Sequence, residues 1–309
     1  MPNNPLVSVI IPNYCHARYL DERIQSVLNQ TYQNFEVIIL DDCSPDEGAS
    51  KAVIEKYRND PHVLRIIYND INSGSTFKQW EKGIGLAKGE LIWIAESDDK
   101  CLPTLLEKLV SKFEENEKLV LSFCKTVAFT DEGQEERIDP LPLSSDKIFG
   151  SKEFISQHMV HGCPMLNASA CLFKKEEALM IDKQYHDFKG AGDRLFWTEI
   201  IERGDVAVVN EWLNFMRNHP NNSTKKFNYD GTNQKEDKRV LDYIFDKGYI
   251  NHNDYQQLRH DYVKAHIFEM LTDKQLQRQL YAYWGYGRWN QFSLKLEAWF
   301  AKLCKQIHK

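Results

Sequence analysis

The stretch Leu91-Ile-Trp-Ile-Ala-Glu-Ser-Asp-Asp99 holds the pattern that decides the fold. Residues 91–95 are mostly apolar, which is typical of a short strand buried on both faces. Three of the next four residues, Glu96, Asp98 and Asp99, are acidic. Ligands of open α/β sheets bind at the carboxyl ends of such strands, where carboxylate oxygens suit Mg²⁺ or Mn²⁺. The simpler alternative is a solvated acidic turn that precedes the next helix.

The composition indicates an ordinary globular protein. The 309 residues are 42% hydrophobic and 12% aromatic, and they can bury one large core or two. A formal charge of −6 provides no basic field, so we expect no nucleic-acid partner. The seven cysteines are scattered, and the first residues do not resemble a signal peptide. We therefore expect a reduced, cytoplasmic protein.

Strand-type and helical segments alternate along the first hundred residues. Apolar runs at residues 6–11, 35–40, 62–68 and 91–95 are separated by segments with helical spacing. This alternation predicts a parallel sheet with right-handed crossovers, in which the strands end on one edge. That edge carries acidic residues after the second and fourth runs, and these carboxylates can accept hydrogen bonds from a nucleotide.

An ordered series of motifs follows the predicted strands. The motifs are Val-Ser-Val-Ile-Ile-Pro-Asn-Tyr14, Asp-Asp-Cys-Ser-Pro-Asp46, Asn72-Ser-Gly74, Ala87-Lys-Gly89 and Trp-Ile-Ala-Glu-Ser-Asp-Asp99. Together they resemble family-2 glycosyltransferases with the GT-A fold, and the resemblance covers about residues 6–225. It implies an α/β fold with a mixed, mostly parallel central sheet flanked by helices. It also implies metal-dependent, inverting hexosyl transfer from a nucleotide-sugar, usually a UDP-sugar, with Mn²⁺ or Mg²⁺ as cofactor.

The resemblance assigns the nucleotide contacts residue by residue. It places Pro12 and Tyr14 in the lining of the nucleotide pocket and Asp42 against the base. Glu96 stands where the family usually has the aspartate that reaches the ribose. The longer side chain keeps the carboxylate but moves it, so the ribose contact is less secure than the metal contact.

The same resemblance assigns the metal and phosphate contacts. Asp98 is the expected metal ligand, with Asp99 beside it. A later Arg-x-His motif resembles the family segment that folds over the diphosphate. There His219 is expected to supply the last metal ligand or to contact phosphate, although a purely structural role for His219 is equally open. Arg217 and Lys225 are expected to offset phosphate charge.

Asp193 follows two glycines and precedes a helical pattern at residues 194–202. Aspartate is a good N-cap residue, so a capping role alone would explain this position. In the family, however, an acid in this segment deprotonates the acceptor hydroxyl. The resemblance therefore makes Asp193 the expected general base, and capping and catalysis are compatible.

The expected organisation has a glycosyltransferase domain over residues 1–230. Within it, residues 1–100 form the nucleotide-binding half and residues 101–230 the acceptor half. Residues 231–309, where the family pattern is lost, are expected to form a helical C-terminal extension. Its last segment, residues 292–309, separates Lys from Leu, Trp and Phe at helical spacing. This amphipathic segment predicts either a peripheral membrane contact or packing onto the domain.

The predicted function is inverting glycosyl transfer to a saccharide or lipid-linked acceptor in cell-surface polysaccharide or glycolipid synthesis. Two alternatives belong to other classes. A sugar nucleotidyltransferase would share the sheet and the acidic metal site, but it should have a Gly-rich loop where this chain has Pro12-Asn-Tyr14. A non-catalytic relative would bind nucleotide-sugar without turnover.

Overall fold

The computed structural model describes residues 4–219 and 227–307, with side chains up to residue 299. The described chain divides into two compact units. The first consists of the described residues of Met1–Met159, Cys163–Asp187 and Gly192–Asn222. The second consists of Val160–Gly162, Phe188–Ala191 and the described residues of Ser223–Lys309.

One sheet forms the centre of the first unit. Its described strands are β1 (Val7–Asn13), β2 (Phe35–Asp41), β3 (Val63–Tyr68), β4 (Leu91–Ile94), β5 (Lys100–Cys101), β6 (Leu119–Phe129), β7 (Glu135–Ile138), β8 (Lys147–Phe149), β9 (Cys171–Lys174) and β10 (Asp205–Arg217). The strand order is β3-β2-β1-β4-β9-β6-β10-β5, with β7 paired to β6 and β8 to β10.

The four strands of the N-terminal half are parallel, as the sequence predicts. β1 pairs with β2 on one side and with β4 on the other, and β2 pairs with β3. The register aligns Asn13 with Asp41 and Ile10 with Ile94. The polar residues that follow β1, β2 and β4 therefore leave the sheet at the same edge. β1, β2 and β4 are buried along their whole length, which explains their nearly continuous apolar sequences.

The other half of the sheet is mixed. β9 runs antiparallel between β4 and β6, whereas β10 runs parallel to β6. β10 was not predicted, because polar residues such as Asn210 and Asn214 interrupt its apolar pattern. Register irregularities between Val209 and Asn214 accompany that interruption. The predicted fold class, a mixed and mostly parallel sheet flanked by helices, is confirmed.

Helices connect the strands of the first unit. They are α1 (Ala17–Leu28), α2 (Ala49–Glu55), α3 (Thr76–Leu86), α4 (Leu105–Glu115), α5 (Ser151–Phe154), α6 (Lys175–Met180) and α7 (Gly192–Ile201). α1 buries Leu20, Ile24 and Val27, the apolar stripe that predicted it. Between α3 and β4 the chain turns at Gly89, whose N–H donates to Ser8 Oγ at 2.8 Å. A Cβ there would lie 2.5 Å from the Leu6 carbonyl oxygen, so the turn requires glycine.

The second unit is helical in its described residues. Its helices are α8 (Thr232–Asp246), α9 (His252–Tyr262), which continues as a π-helix (Val263–Glu269), α10 (Lys274–Tyr283) and α11 (Arg288–Ile307). Val240, Ile244 and Leu280 are fully buried in this unit. The carboxylate of Glu236 accepts hydrogen bonds from three successive backbone N–H groups, at residues 189–191. Among the described helices, none is both long and apolar enough to span a bilayer.

Candidate active site

Three side chains with metal-ligating atoms converge at the polar edge of the sheet. Asp98 lies in the turn between β4 and β5, His219 lies two residues beyond β10, and His16 immediately precedes α1. Nε2 of His219 lies 3.1 Å from Asp98 Oδ2, and Nδ1 of His16 lies 4.0 Å from Asp98 Oδ1. One ligand atom from each residue falls within 4.8 Å of the other two. The sequence predicted Asp98 and His219 here, but it did not single out His16.

Strand pairing and one arginine bring these residues together. β5 pairs antiparallel with β10, so the acidic turn that precedes β5 lies beside the end of β10. Arg217, the last residue of β10, donates from Nε to the Asp98 carbonyl oxygen at 2.8 Å. Its guanidinium also pairs with Glu22 and Asp131. In this structure Arg217 therefore fixes the acidic turn, while the predicted phosphate contact stays a prediction.

Asp99 points into the protein, and its hydrogen bonds hold the turn. Oδ2 accepts from Asn167 Nδ2 at 2.5 Å and from Ser169 Oγ at 2.7 Å, and Oδ1 accepts from the Arg217 N–H at 3.0 Å. The side chain is buried. Burial, with the nearby charge of Asp98, raises the pKa of Asp99 to about 7. Both oxygens of Asp99 are thus engaged within the chain, and the predicted metal contact of Asp99 stays a prediction.

Glu96 and Asp98 differ in their electrostatics. Glu96 Oε1 accepts a 2.9 Å hydrogen bond from the indole Nε1 of Trp80. Burial, with the charges of Asp98 and Asp99, raises the pKa of Glu96 to about 8. Burial also tends to raise the pKa of Asp98. The hydrogen bond with His219 and the nearby His16 lower it by more, so the pKa of Asp98 lies below its usual value. Asp98 is thus the member of the cluster that most readily carries negative charge.

The predicted nucleotide side lies at the ends of β1 and β2. Pro12 is buried within β1, and the side chain of Tyr14 is 46% exposed just beyond it. Asp42 is buried, and its carboxylate accepts four hydrogen bonds of 2.6 to 2.9 Å from Asn69, Ser73 and Gln79. These bonds fix the loop that follows β3. The predicted contact between Asp42 and the base stays a prediction.

Asp193 is the second residue of α7, so the helix begins one residue before it. Its Oδ1 accepts a 2.7 Å hydrogen bond from the N–H of Arg194, and a carboxylate in the first turn is favoured by the helix dipole. Burial, with smaller contributions that include the charge of Asp193, raises the pKa of Cys171. Cys171 lies two residues beyond Ser169, which contacts Asp99. The segment at residues 167–171 contacts Asp99 through Asn167 and Ser169, and the charge of Asp193 acts on its last residue.

The donor set fits a divalent cation. Asp98 offers a carboxylate and His219 an imidazole, which are common ligands of divalent transition ions. The side chains of Asp98 and His219 are only 18% and 6% exposed, so a cation between them would be largely shielded from solvent. His16 was missed because it is a single histidine outside every acidic motif. Its position, two residues beyond Tyr14 at the exit of β1, is the one signal that could have revealed it. Lys225 lies outside the described residues.

Comparisons with known proteins agree with this architecture. The family model described as Glycosyl transferase family 2 matches residues 8–172. An uncharacterized glycosyltransferase of Haemophilus influenzae is 29% identical over 238 residues, 74% of this chain and 71% of that protein. TuaG of Bacillus subtilis, a glycosyltransferase named for teichuronic acid biosynthesis, is 26% identical over 210 residues, 68% of this chain and 77% of TuaG.

A solved structure extends the fold comparison. S. aureus TarS 1–349, crystallised with UDP-GlcNAc, aligns with a TM-score of 0.57 and 19% sequence identity, covering 94% of this chain and 75% of that one. At this identity the likeness concerns the fold. The family model, in contrast, matches more than half of the sequence and includes the strands that form the polar edge. The chain belongs to glycosyl transferase family 2.

Proposed function

We propose that the protein transfers a sugar from a UDP-sugar to a hydroxyl acceptor, with inversion at the anomeric carbon and with Mn²⁺ or Mg²⁺ as cofactor. The observation that carries the proposal is the convergence of Asp98 and His219 at the carboxyl end of the central strand, where open α/β sheets bind ligands. Asp98 and His219 would hold the ion, and Asp99 would orient Asp98. The bound ion would supply positive charge that stabilises the diphosphate leaving group.

The protein's own groups then have distinct tasks. We assign Tyr14 and Asp42 to the base and Glu96 to the ribose. The acceptor hydroxyl attacks the anomeric carbon while the bond from that carbon to the phosphate oxygen breaks. The hydroxyl proton passes to the carboxylate of Asp193, and the diphosphate leaves with the bonding electrons. A single displacement inverts the configuration without a covalent intermediate on the protein.

The relatives support the choice of donor and pathway class. TarS was solved with UDP-GlcNAc, and TuaG is named for teichuronic acid biosynthesis. We therefore propose a UDP-sugar donor and a saccharide or lipid-linked acceptor of cell-surface polysaccharide or glycolipid synthesis. The predicted cytoplasmic location stays a prediction.

Slow transfer to water tests the donor without knowledge of the acceptor. UDP-, GDP-, CMP- and dTDP-sugars are incubated with the protein, and the released nucleotide is measured with Mn²⁺, with Mg²⁺ and with EDTA. We expect release of UDP that disappears with EDTA and returns on addition of metal. Release of another nucleotide would refute the UDP preference, and EDTA-insensitive release would refute metal dependence. Binding without turnover on any donor or acceptor would favour the non-catalytic alternative.

Helix α11 suggests an additional contact with an anionic lipid surface. Trp289, Phe292, Leu296 and Trp299 recur at a spacing of three or four residues and are 39 to 85% exposed, whereas Leu294 is fully buried. The sequence of α11 also contains four basic residues and only one acid, although the chain as a whole is acidic. Exposed indoles on a basic helix are typical of interfacial helices, so we propose that α11 binds anionic lipid.

A flotation assay tests this contact with vesicles of phosphatidylcholine, with and without phosphatidylglycerol. The double variant Trp289→Ser/Phe292→Ser should lose binding to the anionic vesicles. Tyr229→Ser is the matched control, because Tyr229 is an 86% exposed aromatic residue of the same unit outside α11. Light scattering on the same samples identifies the competing explanation: if the double variant changes from dimer to monomer, the exposed face binds a second copy of the chain and the lipid proposal is wrong.

A further inference from the structure

We infer that His16 is a third protein ligand of the proposed cation site, and that the site therefore prefers transition-metal ions such as Mn²⁺ and Co²⁺ to Mg²⁺. This inference rests on the proposed function and specifies its cofactor. The two imidazoles approach different oxygens of Asp98: His219 lies at Oδ2, and His16 lies at Oδ1. Ligands that share one ion at about 2.1 Å are separated by roughly 3 to 4 Å, and the observed distances of 3.1 and 4.0 Å fall in that range.

The residue before His16 has an unusual backbone conformation. Cys15 has a φ of 59°, in the left-handed region that non-glycine residues rarely occupy. The Cys15 N–H donates to Ser44 Oγ at 2.9 Å, which anchors this conformation. Such strain is concentrated at functional sites.

Helix capping does not explain the presence of His16 at the start of α1. His16 is the N-cap residue, but its side chain makes no capping hydrogen bond. Ser, Thr, Asp and Asn are preferred at this position because they satisfy free N–H groups of the first turn. A histidine that does not cap contributes little to the helix. Its imidazole instead lies edge-on to that of His219, with ring centroids 5.7 Å apart, and Tyr19 packs against both rings.

The ligand chemistry determines which ions are favoured. Mg²⁺ prefers oxygen ligands and retains several waters, whereas imidazole nitrogen binds transition ions well. A site with one carboxylate and one imidazole has a modest preference for transition ions over Mg²⁺. A second imidazole strengthens the preference, because each nitrogen adds affinity for the transition ion and little for Mg²⁺.

The competing explanation is a structural hydrogen bond. Nδ1 of His16 also lies 2.9 Å from Ser97 Oγ, so His16 could serve only to hold the acidic turn. Removing Ser97 tests that explanation directly. If His16 acts through Ser97, then Ser97→Ala should reproduce every effect of His16→Ala. If His16 binds the ion, Ser97→Ala should leave metal affinity within about threefold of wild type.

The experiment measures metal binding by calorimetry with MnCl₂, CoCl₂ and MgCl₂ in the presence of UDP. We compare wild type, His16→Ala and Ser97→Ala, with His16→Asn as a second variant that keeps an N-cap residue. For both His16 variants we expect a roughly tenfold or greater loss of Mn²⁺ affinity and a much smaller loss for Mg²⁺. Electron spin echo spectra of bound Mn²⁺ should show nitrogen coupling from two imidazoles in wild type and from one in the variants.

Three results would overturn the inference, and only the third also affects the proposed function. Unchanged Mn²⁺ affinity and nitrogen coupling in His16→Ala would remove His16 from the ligand set and leave the proposed function intact. Equal losses in His16→Ala and Ser97→Ala would have the same consequence. If wild type binds none of these ions with UDP, the metal dependence of the proposed function fails, and this inference fails with it.

Discussion

Two acidic strand ends lie on the same edge of the sheet, yet their carboxylates have different surroundings. At the end of β2, Asp42 accepts four hydrogen bonds from neutral amide and hydroxyl donors. Beside it, Asp41 accepts from Asn13 and Ser44. After β4, in contrast, Asp98 faces two imidazoles.

The difference shows how one motif type can serve two purposes. Neutral donors supplied by the chain satisfy a carboxylate permanently, so the β2 end fixes its loops in one conformation. An imidazole, however, can exchange the proton that it shares with a carboxylate for a cation. The end of β4 therefore has the donor groups of a cation site, whereas the hydrogen-bonded end of β2 provides a rigid surface beside it.

Replacing Asp98 should have the largest effect on turnover. Asp98→Ala removes the proposed metal ligand, and we expect a loss of at least about 10³-fold in sugar transfer or hydrolysis. The melting temperature should be largely kept, because removing a charge close to the buried Asp99 offsets the loss of the hydrogen bond with His219. Calorimetry with UDP provides the second readout. Full-affinity, EDTA-insensitive UDP binding together with near-normal turnover would show that Asp98 resembles Asp42 in having a structural role.

Replacing Asp193 tests whether this carboxylate takes part in the reaction, as proposed for Asp98, or only stabilises its helix. A positioned general base contributes roughly 10²–10⁴-fold, so Asp193→Asn should lose about that much turnover. UDP and metal affinity should be unchanged, and the melting temperature should change little because Asn retains an oxygen that can accept from the Arg194 N–H. Turnover within a few-fold of wild type would identify Asp193 as a helix-stabilising residue.

Replacing Asp42 should affect stability. Asp42→Ala leaves the buried amide of Gln79 and the half-buried donors of Asn69 and Ser73 without their acceptor, which should lower the free energy of unfolding by about 3 kcal/mol. Asp42→Asn is the matched control: it retains one acceptor oxygen and should lose less. Urea denaturation measures both. If Asp42→Ala is as stable as wild type while UDP affinity falls, Asp42 acts on the nucleotide and its hydrogen bonds contribute little to the fold.

The sequence was sufficient to predict the arrangement of the N-terminal strands and of the acids that follow them. Those strands are short apolar runs, and the ends of parallel strands necessarily share one edge. β10 could not be predicted in the same way, because the polar residues of its irregular section interrupt the strand pattern. His16 was missed for a different reason. It lies outside every acidic motif, and the folded chain brings its ligand atom within 4.8 Å of those of Asp98 and His219.

Arg217 illustrates a second limit. The sequence shows a basic residue near a predicted phosphate site, but it does not reveal that Glu22 and Asp131 both contact the same guanidinium. Those partners come from α1 and from the turn after β6. The sequence thus predicted a positive charge near the site. The tertiary structure shows that this charge is already paired with two carboxylates.

The smallest expected effect concerns Glu96, whose environment combines features of the environments of Asp42 and Asp98. Its carboxylate accepts a neutral indole hydrogen bond from Trp80, as Asp42 does from amides, yet it precedes Asp98 by only two residues. Trp80→Phe retains an aromatic ring in this core and removes that bond, which is worth about 1 kcal/mol. If the indole orients Glu96 for the ribose, KM for the UDP-sugar should rise about fivefold while kcat is unchanged.

Trp93→Phe is the matched control for this last substitution. It removes an indole hydrogen bond of the same 2.9 Å length, but one that ends on the carbonyl oxygen of Ser169. We expect a lower melting temperature in both variants and a raised KM only in Trp80→Phe. If KM is equal in the two variants, the indole bond to Glu96 is structural, and Glu96 then resembles the fixed acids at the end of β2. If KM rises in Trp80→Phe alone, the Trp80 indole holds Glu96 in position for the ribose of the UDP-sugar.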